Sequence, residues 1–206
     1  MVSNAEHDRR LSAAGLPTLK TLTRRILKTL DSATPSDVEA GAIWYRDAQI
    51  LAADLAQGDY GLDVEETAGI IAALSPRTFW SRNVVAAVAM VKGEEKPSGI
   101  IGRNWDMAQR IVDGEGVSNV LKGPKTRAFA ANIAGDTSRV TVDIWALRAV
   151  GLDESALSRK GTYAAIEAAY VRAATMLGVE PATCQATAWV VTRRVGLSEQ
   201  RKRRFA

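Results

Sequence analysis

Cysteine and histidine are almost absent from this chain, and their scarcity excludes several kinds of chemistry. Cys184 is the single cysteine and His7 the single histidine among the 206 residues, so no intramolecular disulfide can form and a reducing compartment fits. Zinc sites built from Cys and His, as in the zinc deaminases, and iron–sulfur clusters with four cysteine ligands are excluded. A nucleophile activated by histidine is not expected, because His7 lies in a polar N-terminal segment. Any chemistry must therefore use carboxylates, Lys, Tyr, Ser or Thr, or a metal bound by carboxylates.

Long apolar runs are also missing from the chain. The longest ones, residues 70–74 and 84–91, are far too short to cross a bilayer. The N-terminal sequence MVSNAEHDRR is polar and no apolar run follows it, so a signal peptide is not expected. We therefore expect a cytoplasmic protein without a membrane partner, and the sequence leaves its oligomeric state open.

The composition that is present favours helices. Apolar residues make up 47% of the chain and charged residues 24%, which is typical of a globular protein. Alanine is abundant, whereas β-branched and aromatic residues at period two are scarce. These features predict an all-α fold, a single globular domain of about nine or ten helices with short loops. We expect a flexible lead-in over residues 1–15, the helical domain over 16–196 and a basic C-terminal tail over 197–206.

Local signals predict where several of these helices begin and end. Thr34-Pro35-Ser36-Asp37 predicts a turn and a cap at Thr34, which start one helix that runs through residues 35–55. Asp63 is expected to cap the next helix, and Ser75-Pro76 to break the chain after it.

Positive charge is modest overall but concentrated at the two ends of the sequence. The net charge is +4, and the clustered cations are Arg9, Arg10, Lys20, Arg24, Arg25 and Lys28 near the start, and Arg193, Arg194, Arg201, Lys202, Arg203 and Arg204 near the end. Such clusters can neutralise phosphates of a nucleic acid. They can equally be solvated ends that keep the protein in solution, and the sequence does not decide between the two.

Residues 121–148 combine a hairpin with an acid at a helix start. Gly123-Pro124 predicts a tight turn between two helices, and the unpaired backbone N–H groups that follow it suit a phosphate. Lys125 adds a positive charge at the same place. The spacing of Gly123 and Lys125 does not fit the P-loop pattern G-x-x-x-x-G-K-[ST], so a P-loop is not expected. Asp143 is expected at the N-cap of the next helix, where it would face the sugar of a nucleotide bound at the hairpin. Taken alone, Asp143 fits a plain helix cap better than a catalytic acid.

This segment resembles the helix–hairpin–helix DNA glycosylases of the endonuclease III type, and most of all their small phage-encoded relatives. The family motif is matched in order by Leu121, Gly123, Lys125-Thr126, Val142-Asp143 and Arg148. The 18-residue step from Lys125 to Asp143 equals the step between the Schiff-base lysine and the aspartate of bifunctional members. Upstream, IAALSPRT (residues 71–78) resembles the family segment that reaches towards the DNA gap. The hairpin is one residue shorter than usual, and Trp145 stands where many members have histidine.

The resemblance implies an HhH-GPD fold and a glycosylase-like enzyme that cleaves, or exchanges at, the N-glycosidic bond of a flipped, damaged or modified base. Asp143 would be the catalytic carboxylate. Lys125 would be an amine that adds strand cleavage, or only a phosphate contact. The expected DNA contacts are Lys122, Gly123, Pro124, Thr126, Arg127, Arg77 and Arg148. The expected base pocket consists of Trp44, Tyr45, Ser75, Trp80, Asn83, Trp145, Gln185 and Trp189.

Two other functions fit the same residues. One is a transferase on the same scaffold that hypermodifies or exchanges a base, as among phage relatives. The other is a non-catalytic DNA-binding or host-inhibiting protein that uses only the hairpin and the basic ends. The pocket aromatics could instead be core residues, and Gln185 a buried amide. The partner is DNA or a nucleotide in each case; we expect no cofactor or metal, and consider only a monovalent cation at the hairpin.

Overall fold

The computed structural model describes residues 2–204, and side chains for residues 2–196. Within this range the chain is helical and contains no β-strand, so the all-α prediction is confirmed. Ten of the twelve described α-helices have eight residues or more. None of the described helices is both long enough and apolar enough to cross a membrane. The α-helices are α1 (Asn4–Ala13), α2 (Leu19–Asp31), α3 (Pro35–Ala42), α4 (Arg46–Gln57), α5 (Val64–Leu74), α6 (Trp80–Val91), α7 (Gly102–Val112), α8 (Val117–Val120), α9 (Pro124–Ile133), α10 (Ile144–Ala149), α11 (Thr162–Leu177) and α12 (Pro181–Arg204).

The chain divides into two compact units that interleave along the sequence. The first unit combines the described parts of Met1–Trp44 and Thr137–Ala206, and the second is Tyr45–Asp136. Each unit has its own cluster of buried apolar residues. The range 16–196, which we expected to be the helical domain, is therefore shared between these two units.

Helix α5 forms the centre of the second unit. A capping box between Asp63 and Glu66 starts the helix, and residues 67–74 are all buried. This explains why the segment TAGIIAAL is apolar on every side rather than amphipathic. Helices α4, α6, α7 and α9 pack around it. Gly69 permits one close approach, since a Cβ atom at this position would lie 2.7 Å from a methyl group of Val117.

Helix α11 has the corresponding place in the first unit, where it packs against α1, α2 and α12. Its buried face includes Ile166 and Tyr170, and the Tyr170 hydroxyl donates a hydrogen bond of 2.8 Å to the carbonyl oxygen of Ala146. Helix α12 also packs against α3, where Gly41 faces Thr187. A Cβ atom at Gly41 would lie 2.1 Å from the Thr187 hydroxyl oxygen, so the two helices can approach this closely only with glycine.

Two expectations about the ends of elements need correction, and a third lies largely outside the described residues. Most of the expected flexible lead-in is helix α1, because Leu11 is fully buried in the core of the first unit. The single helix expected from residue 35 to residue 55 is two helices, α3 and α4, with a break at residues 43–45. Helix α12 continues as backbone to Arg204, and the side chains of the expected basic tail, residues 197–206, lie outside the described residues.

Several cations at the two ends of the sequence are engaged in the fold. Arg194 forms an ion pair of 2.9 Å with the buried carboxylate of Asp37. Burial acts to raise the pKa of Asp37, but hydrogen bonds from Thr34 and Arg194 outweigh it and lower that pKa overall. Arg25 donates a hydrogen bond of 2.7 Å to the carbonyl oxygen of Val150. These side chains hold elements of the first unit together, so the basic ends are not only a solvated surface.

Candidate functional site

Asp143 caps the N-terminus of α10, as the sequence predicted. Its Oδ1 atom accepts hydrogen bonds from the backbone N–H groups of Trp145, at 3.0 Å, and Ala146, at 2.8 Å. Its Oδ2 atom accepts a hydrogen bond of 3.1 Å from the indole N–H of Trp189 on α12. The side chain is half-buried. Three N–H donors therefore fix the orientation of this carboxylate at the edge of the core.

The extended segment before Asp143 is held by Tyr163 of α11. The Tyr163 hydroxyl donates to the carbonyl oxygen of Val140 at 2.9 Å and accepts from the N–H group of Val142 at 3.0 Å. Burial raises the pKa of Tyr163 well above its usual range, so the hydroxyl keeps its proton and remains a donor even in alkaline solution. Val140 and Val142 are fully buried on either side. Tyr163 thus positions the backbone that delivers Asp143, a role that the sequence did not indicate.

Three tryptophans pack together next to Asp143, and we call them the tryptophan cluster: Trp44, Trp145 and Trp189. Trp189 joins this cluster to the Asp143 carboxylate through its indole N–H group. The ring centroids of Trp44 and Trp189 are 4.1 Å apart, and those of Trp145 and Trp189 are 6.1 Å apart in an edge-on arrangement. Trp44 is 39% exposed, so the cluster reaches the surface. Gln185, which we also expected in the pocket, is buried one turn before Trp189 on α12.

Two arginines flank the tryptophan cluster. The guanidinium of Arg148 lies 4.5 Å from the ring centroid of Trp145, and that of Arg193 lies 4.9 Å from the ring centroid of Trp189. Both arginines are exposed. Arg148 was a predicted DNA contact, whereas Arg193 was assigned only to the basic end of the chain. Its position four residues after Trp189 on one helix was the signal that could have placed it here.

The predicted hairpin lies in the second unit, between α8 and α9. Gly123 precedes α9, Pro124 is its first residue, and no side chain caps this N-terminus. Lys122 and Lys125 are exposed. Arg127, an expected DNA contact, instead donates hydrogen bonds to the carbonyl oxygens of Leu121 and Ser118. The reason is that the carbonyls at the end of the short helix α8 need donors, and Arg127 supplies them.

A groove of about 480 Å³ opens beside the hairpin within the second unit. Leu121 and Met107 contribute apolar walls, and Thr126 lines it from α9. Helix α7 adds two arginines that were not predicted as site residues, Arg103 and Arg110. Arg110 pairs with Glu115 at 2.5 Å. The spacing of the two arginines, seven residues or two helical turns, indicated a shared face.

The remaining predicted pocket residues belong to the second unit, and three of them take part in its packing. Tyr45 is buried with its ring centroid 6.2 Å from that of Phe129. The Ser75 hydroxyl donates to the carbonyl oxygen of Ala72, and the buried Asn83 amide donates to that of Ile71. Trp80 and Arg77 are exposed at the turn between α5 and α6.

A family model matches residues 9–196, nearly the whole chain. The protein belongs to this family of unknown function (DUF7178). No curated protein and no solved structure matches it. The matched range of this DUF7178 chain contains Asp143, the tryptophan cluster, both flanking arginines and the hairpin. Among its described residues, no group of three or more His, Cys, Asp or Glu side chains could hold a metal ion.

Proposed function

We propose that this DUF7178 chain is a DNA glycosylase-like enzyme that acts on the N-glycosidic bond of a flipped, damaged or modified base. Asp143 is the catalytic carboxylate in this proposal. The observation that carries it is a half-buried acid, fixed by three N–H donors and joined through Trp189 to a tryptophan cluster that two exposed arginines flank.

Breaking an N-glycosidic bond requires a group that tolerates positive charge on the sugar. The departing base takes the bonding electrons, and positive charge develops on the deoxyribose. A fixed carboxylate stabilises this charge without having to reorganise, and in a site shielded from water the effect amounts to several kcal/mol. Asp143 would also orient the water whose oxygen bonds to the sugar, while the released proton passes to the base or to solvent.

The tryptophan cluster supports the proposal because a base must leave the duplex stack before it reacts. An extruded base loses its stacking partners and is commonly held against aromatic side chains. Trp44 offers such a ring, because it is 39% exposed and packs against Trp189, whose indole binds the carboxylate. Arg148 lies over the Trp145 ring and Arg193 over the Trp189 ring, and both arginines are exposed, so their guanidinium groups can bind the phosphates next to the extruded nucleotide.

The hairpin supports DNA binding by an independent feature of the second unit. Because Pro124 has no N–H group and no side chain caps α9, the N–H groups of Lys125 and Thr126 are available to a phosphate oxygen. Lys122 and Lys125 add exposed positive charge. In this proposal Lys125 contacts phosphate, and it is also the candidate amine for strand cleavage.

The test is release of a base from DNA. The protein is incubated with single- and double-stranded oligonucleotides, each carrying one damaged or modified base, and free base and alkali-labile sites are measured. Asp143→Asn should lower the rate by roughly 100-fold or more. Asparagine is nearly as good a helix cap as aspartate, so α10 should still form.

The matched control is Asp153→Asn. Asp153 caps the 3-10 turn Glu154–Leu157 through a hydrogen bond of 2.8 Å from the N–H group of Ser155, so the same chemical change is made at a cap outside the site. This variant should release base at the wild-type rate. Equal rates for Asp143→Asn and wild type would refute the enzymatic role of Asp143. Base exchange without an abasic product would instead indicate the transferase.

A second candidate function is DNA binding without catalysis. It is favoured by the engagement of both Asp143 oxygens with donors of the fold itself. This candidate requires that the wild-type protein binds DNA, releases no base from any oligonucleotide, and binds as tightly when Asp143 is replaced by asparagine.

A further inference from the structure

The turn between α5 and α6 exposes two aromatic side chains. Phe79 is 83% exposed, more than any other large hydrophobic residue among those described, and its neighbour Trp80 is 40% exposed. We call residues 77–80 the aromatic tip. Burying a phenylalanine ring is favourable, so an almost fully exposed one next to an exposed tryptophan indicates a surface that contacts something else.

The aromatic tip is held in place by the residues around it. Arg77 has φ of 60°, the only positive φ of a non-glycine residue in the described chain. Such strain persists only where neighbouring contacts impose it. The buried Asn104 side chain donates to the carbonyl oxygen of Pro76 at 3.0 Å, and the N–H group of Asn83 donates to that of Phe79 at 2.9 Å. Phe79 is therefore presented from a fixed turn.

The sequence that carries the aromatic tip has charge of one sign. Residues 67–91 include no aspartate or glutamate, whereas the two charged residues of this stretch, Arg77 in the tip and Arg82 in the first turn of α6, are both exposed cations. A segment that places exposed aromatic rings among cations, without acids, complements a polyanion that also has flat apolar faces. Single-stranded nucleic acid has both properties, because its phosphates are negative and its unpaired bases can stack on aromatic rings.

We propose that the aromatic tip stacks on unpaired nucleobases, so that the protein selects DNA in which base stacking is interrupted. This inference rests on the proposed action on DNA and specifies its substrate class. Phe79 provides the stacking face, Trp80 extends it, and Arg77 and Arg82 neutralise adjacent phosphates. The selected DNA is single-stranded, or is a duplex with unpaired bases, rather than an intact duplex.

The test compares the affinity of the full chain for three fluorescent DNA probes at one salt concentration. The probes are a single strand, a duplex with a central unpaired bulge, and the intact duplex of the same sequence. Phe79→Ala should weaken binding to the two probes with unpaired bases by roughly tenfold, the effect of losing one stacked base, and leave the intact duplex unchanged. Phe79→Tyr, which keeps the ring, should bind like wild type.

Val85→Ala is the matched control for loss of exposed apolar surface. Val85 is 57% exposed on α6 but lies outside the aromatic tip, so its replacement should change none of the three affinities. Equal weakening of all probes by Phe79→Ala, no weakening, or no DNA binding by wild type would overturn the proposal. It would also be overturned if size-exclusion chromatography showed a wild-type dimer that Phe79→Ala dissociates, because the tip would then bind a second copy.

The outcomes for the aromatic tip and for Asp143 are distinguishable. The tip is tested by binding, which needs no turnover, whereas Asp143 is tested by base release. If base release depends on Asp143 but the preference for unpaired bases does not depend on Phe79, only the proposal for the aromatic tip is refuted. If that preference depends on Phe79 but no base is released, only the proposed enzymatic activity is refuted.

Discussion

Three N–H groups converge on the Asp143 carboxylate, and they differ in how they can be altered. The donors of Trp145 and Ala146 are backbone groups, which remain in any variant that keeps α10. The third donor is the indole of Trp189, and a substitution can remove it while an aromatic ring remains. A hydrogen bond to a half-buried charged group stabilises the folded protein more than a hydrogen bond between neutral groups does.

We expect Trp189→Phe to lower the single-turnover rate of base release by roughly tenfold, because the carboxylate loses one of its fixed donors. The free energy of unfolding should fall by about 1–3 kcal/mol. Trp44→Phe is the control, since the Trp44 ring packs against Trp189 without donating to Asp143. If both variants lose the same amount of activity, ring packing explains the effect and the indole N–H group has no part in it.

The same residues show what could be predicted at this scale. Asp143 was predicted as a helix cap, because a capping side chain binds N–H groups two and three residues ahead of it in sequence. Trp189 follows Asp143 by 46 residues, and only the packing of α12 against α10 brings the two together. Arg127 and Arg194 were misread for the same reason, since their acceptors depend on the folded chain.

At the scale of secondary-structure elements, the close packing of α3 on α12 sets the position of the tryptophan cluster. Gly41 contacts Thr187, and Trp189 lies two residues further along α12. A Cβ atom at Gly41 would lie 2.7 Å from the Cα atom of Thr187, which is backbone and cannot rotate away. The two helices would have to separate, and Trp189 would move with α12.

We therefore expect Gly41→Ala to destabilise the protein by about 1–3 kcal/mol, although alanine favours helix more than glycine does. Base release should fall as well, because Trp189 is displaced. Gly102→Ala is the control: Gly102 begins α7, and a Cβ atom there would meet nothing within 4 Å. Thermal unfolding and the base-release rate check both variants. An unchanged or raised midpoint for Gly41→Ala would show that the helices can separate without cost.

Local sequence signals predicted where several helices begin, but they did not predict every break between helices or every helix. The caps at Thr34 and Asp63 and the break at Ser75-Pro76 are where the sequence predicted them. The break between α3 and α4 was missed, because its cause is tertiary: Trp44 packs on Trp189 in the first unit, and Tyr45 packs on Phe129 in the second. Helix α1 was not predicted, because its sequence is mostly polar and charged and Leu11 is its only large apolar residue, so no apolar periodicity is visible.

At the scale of the whole molecule, the division into two units was not visible in the sequence. Both units are helical and rich in alanine, and no linker of distinct composition marks residue 45 or residue 136. The hairpin belongs to the second unit and Asp143 to the first, so the motif that indicated a site runs across a unit boundary. A sequence motif records spacing along the chain, and it contains no information about the compact unit to which each part belongs.

The role of Lys125 has to be tested in the whole protein bound to DNA. Its positive charge and its amine are two separate reasons why the residue could be needed, and the test has to separate them. If the lysine contacts phosphate, Lys125→Gln should reduce the slope of log affinity against log salt concentration by about one, whereas Lys160→Gln, an exposed lysine by the 3-10 turn, should not. Lys125→Arg keeps the charge and should keep the wild-type slope, yet an arginine cannot form the Schiff base that borohydride traps on DNA. A wild-type slope for Lys125→Gln would refute the phosphate contact, and borohydride trapping that persists in Lys125→Arg would place the amine on another residue.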